Sequence, residues 1–167
     1  MSENHYVDNK EFLKAMSAWL ILVKEAQEMD ERRPPLTEYI ATCFLKIAEN
    51  LSRKANFIKY PYRDDMIGDA IENCILYAHN FNPEKSSNPF SYFTQIIYFA
   101  FLRRIEKEKK QLFIKYKLAE EMDVDGTLHK WYKENYFEKD TKKEAMKEHF
   151  QLNDNDLVKF KGKKKTK

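Results

Sequence analysis

Six residues carry the most chemistry in this sequence. Placed 100° apart, Tyr92, Ile96, Phe99, Arg103, Lys107 and Lys110 share one side of a helix. The first half of that side is apolar and aromatic, and the second half is basic. Bases stack on rings and phosphates pair with Lys and Arg, so this order of side chains suits nucleic acid. A second helix of the same chain covering Tyr92, Ile96 and Phe99 explains the rings equally well, because aromatic stripes at helical spacing are usually core. The groups that carry catalysis do not gather. His5, His79, His129 and His149 are scattered, with no i, i+4 partner for a zinc site. The three glycines are isolated, so no loop cradles phosphate, and no G-x-S-x-G occurs. Asp64-Asp65 has no polar partners nearby and reads as a charge pair suited to a helix start. DVDG at 123–126 lacks the acid spacing of a calcium loop. Cys43 and Cys74 lie on apolar faces without a C-x-x-C pair and read as buried, reduced thiols. The expectation is a binding protein without catalytic residues, cofactor or metal.

The elements that must position this face are helices. The chain has 167 residues, 43% hydrophobic and 34% charged, with three Gly and five Pro. Sparse breakers and abundant Lys, Glu, Leu, Ile and Ala predict an all-α fold. Asp8 or Asn9 caps a first helix to about Met29, with Phe12, Met16, Trp19, Leu20 and Val23 as its stripe. A second is predicted over about Leu36 to Asn56, with Ile40, Cys43, Phe44, Ile47 and Leu51 inward. FIKYPY, Phe57 to Tyr62, is an aromatic link that Pro61 keeps from being helical. A third helix spans about Arg63 to Phe81, and its outer side carries Asp65, Asp69, Glu72 and Leu76. That strip reads as a solvated acidic face or as a docking strip for a basic partner helix. Asn88-Pro89 then opens a long helix, with a cap residue followed by Pro at the first helical position. Its inner stripe is Phe90, Phe93, Ile97, Phe101 and Ile105. A last amphipathic helix is predicted over Leu128 to His149, and 151–167 reads as a flexible basic tail.

Charge is uneven although the net is only +3. Arg103 to Lys117 holds seven bases and two acids, Glu120 to Asp156 eleven acids and six bases, and Lys159 to Lys167 six Lys and no acid. No signal-peptide pattern opens the chain and no apolar run is long enough to span a bilayer, so an intracellular protein is expected.

Asp64 to Lys110 resembles the second conserved region of sigma-70 type sigma factors. The likeness rests on an acidic-capped helix ending in Phe81, a short turn, and Phe90-Ser91 opening a long aromatic helix that ends in basic residues. The late-transcription sigma factors of T-even-like phages are closer still. YVDNKEFLKA, IAENLSRKANF and HNFNPEKSSNPFSYFTQ carry that resemblance in order over about residues 5–115. It implies a compact helical region-2-like domain over 1–118; the residues' own pattern beyond it gives a helical extension over 119–150 and the tail over 151–167. It implies docking on the clamp helices of the beta-prime subunit of core RNA polymerase through Asp65, Gly68, Asp69, Glu72 and Leu76. It places Tyr92, Phe93, Ile96, Phe99, Arg103, Arg104, Lys107 and Lys110 against promoter DNA near minus ten.

The departures have physical consequences. The family's tryptophan pair is Ile96-Ile97 here, and Phe99 and Ala100 replace polar promoter-reading positions. With fewer rings to stack on, A·T-rich DNA that opens easily is the expected target, as in TATA-like late promoters. No domain for the minus-thirty-five element is evident. Related phage factors rely on a sliding clamp and a co-activator, and Leu157, Val158 and Phe160 are the candidate counterpart of their clamp-binding segment. The lysines at the end depart from that pattern and favour a solvated tail with nonspecific DNA affinity. The expected function is a sigma-like factor that binds host core polymerase in the cytoplasm of an infected cell. The rival is a non-sigma helical adaptor that contacts nucleic acid through its basic segment alone.

Overall fold

The computed structural model describes residues 6–122, 130 and 152–160. Every regular element among them is helical. These are α1 (Asn9–Glu28), α2 (Glu38–Ser52), α3 (Arg63–Tyr77) continued by a single 3-10 turn (Ala78–Asn80), α4 (Pro89–Met122) and α5 (Asp154–Phe160). The chain divides into two compact units, Met1–Arg104 and Ile105–Lys167. None of the described helices is long and apolar enough to cross a membrane. Apart from residue 130, the helix predicted over Leu128 to His149 lies outside the described residues, as do the lysines from 161 onward.

In the first unit the helix ends are set by named caps. Asp8 Oδ1 accepts from the amides of Lys10 and Glu11 at 2.8 and 3.0 Å, satisfying donors the first turn of α1 cannot pair. At the other end Asp30 takes φ 56°. The amide of Glu31 reaches back to the Ala26 carbonyl at 2.8 Å and that of Asp30 to Gln27 at 3.3 Å, a Schellman closure with Asp at the left-handed position. Trp19 Nε1 donates to the Pro35 carbonyl at 3.0 Å, fastening the proline break against α1. The N-terminus of α4 is capped twice. Asn88 Oδ1 accepts from Ser91 at 2.9 Å, and Asn9, on α1, accepts from Phe90 at 3.1 Å.

α2 ends at Ser52, four residues before the predicted end. The amides of Arg53 and Lys54 turn to carbonyls three residues back, Asn50 and Leu51, which tightens and stops the helix. α3 likewise tightens at Ala78, so its predicted last turn is the 3-10 turn.

The first unit's core is a ring cluster. Phe93 of α4 sits 4.5 Å from Phe44, 5.7 Å from Phe12 and 6.0 Å from Phe81, centroid to centroid. Met16, Ile40, Ile47, Met66, Cys74, Ile97 and Phe101 complete it. Both cysteines are free and buried. Burial pushes the Cys74 thiol up to about 12 from 9.0, and burial also raises Cys43. Because thiolate is the reactive form, neither cysteine in the native protein should react with a disulfide reagent at pH 8. Labelling should follow unfolding in urea, with prompt reaction of the folded chain as the contrary result. The raised Cys74 also has a stability consequence. Its contribution is complete below about pH 9 and falls as pH rises toward 12, because only the unfolded chain ionises readily.

The second unit builds its own small core. Phe113 and Tyr116 of α4 pack with Leu152 and with Leu157 of α5, and Phe160 joins them at 5.9 Å from Phe113. Asn153 and Asp156 cap each other reciprocally: Asn153 Oδ1 accepts from the Asp156 amide at 2.8 Å, and Asp156 Oδ2 from the Asn153 amide at 3.3 Å. Lys109 Nζ lies 3.1 Å from the largely buried Asp156 carboxylate. The expectation of a flexible tail from 151 onward is therefore corrected over 154–160. A capping box starts the helix, and Leu157 gives it something to bury.

Candidate nucleic-acid interface

α3 and α4 of the first unit are neighbours, so the residues singled out in the sequence can be placed one by one. Phe99 stands on the outer side of α4 with 55% of its surface open. Tyr92 and Ile96 are half-buried. The ring of Tyr92 leans on Phe81 and Phe93, centroids 5.3 and 5.1 Å away. Burial, with Cys74 adding to it, raises the Tyr92 hydroxyl, which stays a neutral donor at physiological pH. Tyr98, which the helical wheel did not single out, is exposed beside Phe99 at 5.8 Å and 76°, and Leu102 is exposed as well. The outward apolar surface of α4 thus turns toward Tyr98, Phe99 and Leu102. The signal for Tyr98 was its place next to Phe99, four residues before Leu102.

Phe93 belongs to the interior. It is fully buried at the hub of the ring cluster, so its assignment to DNA is corrected: Phe12, Phe44 and Phe81 already occupy its faces.

The two adjacent arginines have opposite fates. Arg104 is only 14% exposed, with Nε 3.0 Å from Asp69 Oδ2 and Nη2 3.4 Å from Asp65 Oδ1. Its charge is met by two carboxylates, so its expected phosphate contact is corrected to an internal clamp between α3 and α4. Arg103 is exposed, and its Nη2 donates to the neutral Asn73 Oδ1 at 2.8 Å. An amide orients a guanidinium without cancelling its charge. Arg103 is therefore aimed and electrostatically available, one helical turn from Phe99. Lys107 and Lys110 are exposed on the part of α4 that belongs to the second unit.

The acidic strip on α3 divides in the same way. Asp65 and Asp69 face Arg104, while Glu72 and Leu76 are exposed. Gly68 lies between these groups on the exposed side, and a Cβ there would meet nothing within 4 Å. Glycine in a helix interior costs about 1 kcal/mol relative to alanine. Nothing among the described residues requires it, so the missing side chain leaves a flat, open place on α3. Gly68→Ala should raise stability by about 1 kcal/mol in urea denaturation. A loss of stability would mean that a backbone constraint had been overlooked.

Leu157 and Phe160, candidates for a clamp-binding segment, turn inward onto Phe113 within the second unit. Only Val158 of that trio is prominently exposed. Their assignment is corrected because the same apolar groups close the unit's core.

Among the described residues no group of three His, Cys, Asp or Glu side chains is placed to hold a metal ion. No family model matches the chain, and no curated protein matches it.

Proposed function

We propose that the protein is a minimal sigma-like factor of a bacteriophage. In this reading it binds the core RNA polymerase of the bacterial host and directs recognition and opening of TATA-like late promoters through the minus-ten element alone. The resemblance over about residues 5–115 supplies the class. The observation that carries the reading is the contrast between neighbours: Arg104 is neutralised by α3, while Arg103 keeps its charge beside the open ring of Phe99.

The mechanism follows from those surfaces. Glu72 and Leu76, with the flat place at Gly68, present acid and a small apolar anchor to a basic partner helix on polymerase. Arg103 takes a phosphate, which positions the promoter without reading it. Phe99 and the outer edge of Tyr92 then receive bases that unstack transiently. Each stacked base contributes about 1–3 kcal/mol by truncation, so one or two rings suffice only where the duplex opens easily. In this reading the protein contributes contacts, and the bond-making chemistry belongs to the polymerase.

The test combines two variants. Glu72→Lys with Leu76→Asp should weaken binding to bacterial core polymerase at least about a hundredfold, a loss of about 2.7 kcal/mol. Phe99→Ala should bind polymerase normally and lose open complexes on A·T-rich promoters, read by permanganate footprinting. Wild-type polymerase binding by the first variant would refute the docking strip. Wild-type opening by the second would refute base capture. Nucleic-acid binding that ignores polymerase in every variant would favour the adaptor reading.

A further inference from the structure

The outer face that α3 and α4 share carries both signs of charge. Arg103 bonds Asn73 at 2.8 Å, and Phe81 meets Tyr92 and Phe93 at 5.3 and 6.0 Å, which sets the two helices in an antiparallel register. That register brings Leu76 alongside Phe99, since each lies one turn from the Asn73–Arg103 bond on the side toward Phe81. Both are more than half exposed. Leu102 and Tyr98 extend the apolar surface along α4, with Tyr98 propped on the buried ring of Phe57 at 5.6 Å. Glu72 borders the patch on α3 and Arg103 borders it on α4. Both are exposed, and neither has an opposite charge within ion-pair distance among the described residues.

A partner of one sign meets only half of this face. A polyanion is repelled by Glu72, and a basic helix is repelled by Arg103. The face is, however, complementary to itself. A two-fold axis running along and between the two helices lays α3 of each copy over α4 of the other and keeps every level in register. Glu72 of each copy then faces Arg103 of the other, and Leu76 of each packs on Phe99 of the other. Apolar surface on the order of a few hundred Å² per copy marks an interaction site, yet falls short of the roughly 800 Å² of a standard interface, so the pairing is transient.

We propose that free copies of this protein pair reversibly, as a two-fold dimer, through this face. The pairing does not rest on the promoter reading. Where both hold, a paired copy is unable to dock on polymerase, because Glu72 and Leu76 are already taken.

Sedimentation velocity of the full-length free protein, without polymerase or DNA, reads the pairing. Wild type should pass from monomer toward dimer between about 1 and about 300 µM, as a weak interface does. Glu72→Arg and Arg103→Glu should each weaken pairing at least about tenfold, because like charges then face each other twice. Mixed in equal amounts, these two variants should pair as wild type does, since every facing pair is again opposite in sign. Leu76→Asp should also weaken pairing at least about tenfold, and it keeps the test open should Arg103→Glu disturb the bond to Asn73. Ile21→Asp, at a similarly exposed apolar position of α1, should pair like wild type. Each variant is first required to unfold at the wild-type midpoint. A monomer at every concentration, a mixture of the two charge variants that stays monomeric, open-ended aggregates in place of a dimer, or equal weakening by Ile21→Asp would each overturn the proposal. None of these outcomes involves polymerase, so failure here is separate from failure of the docking strip.

Discussion

Phe93→Ala should cost about 3–5 kcal/mol, as truncation of a fully buried phenylalanine does. A domain typically has about 5–15 kcal/mol in total, so the variant would be close to unfolded at physiological temperature. The cost is high because the ring is shared. It touches Phe12 of α1, Phe44 of α2 and Phe81 beyond α3, so one deletion opens a cavity bordered by several elements. Those walls belong to separate rigid helices that cannot all close in at once. Phe99→Ala, six residues further along the same helix, should change stability by less than about 0.5 kcal/mol. Urea denaturation of the pair checks this directly. A Phe93→Ala protein that stays fully stable while losing promoter binding would return Phe93 to the DNA surface.

Asp69→Lys is the second large effect. It removes the nearer carboxylate from a guanidinium that is mostly shielded from water and puts a like charge in its place. Exposed ion pairs are commonly worth no more than about 1 kcal/mol. Arg104 is not exposed, however, and a shielded charge that loses its partner is expensive to leave behind. We expect a loss of about 3 kcal/mol, which for a unit of this size moves the thermal midpoint by more than about 10 °C. Asp65→Lys should cost under about 1 kcal/mol, because that carboxylate is 63% exposed and sits farther from Arg104, at 3.4 Å. Equal effects at both positions would show that shielding of Arg104 does not govern the pair. Reversing Asp65 and Asp69 together is for the same reason a poor probe of docking. It disturbs the α3–α4 clamp, whereas Glu72 and Leu76 can be changed without touching it.

How far the sequence could be read depended on where the deciding interaction lay. α1 and the start of α4 were legible because local residues set them: Asp8 before the first apolar stripe, and Asn88-Pro89 before the second. Local chemistry also marked the break at Pro34-Pro35 and the aromatic link before α3. The wheel placed Phe93 on the inner stripe, and the family likeness placed it on DNA; the ring contacts favour the wheel. Arg104 was misassigned because a basic residue next to Arg103, in the middle of a long helix, looks solvent-facing until its partner is known. That partner lies on α3, more than thirty residues away in sequence. α5 had a visible signature in Asn153 and Asp156, a cap residue and an acid three positions later. Its lysine-rich continuation conceals it, and the rings it covers, Phe113 and Tyr116, stand far back in the sequence on α4. Tyr98 was passed over because wheel geometry sorts residues by angle alone, whereas its position depends on how Phe57 fills the space beneath it.

The mutual capping of Asn153 and Asp156 bears on how shortened versions of this protein will behave. A truncation before Leu152, made to strip away what looks like a loose cationic end, would lay bare Phe113 and Tyr116 and leave Lys109 without its counter-ion. Such a product would tend to clump, and any activity it lacked would say little about the lysines. Cutting after Phe160 removes those charges and leaves this plug in place.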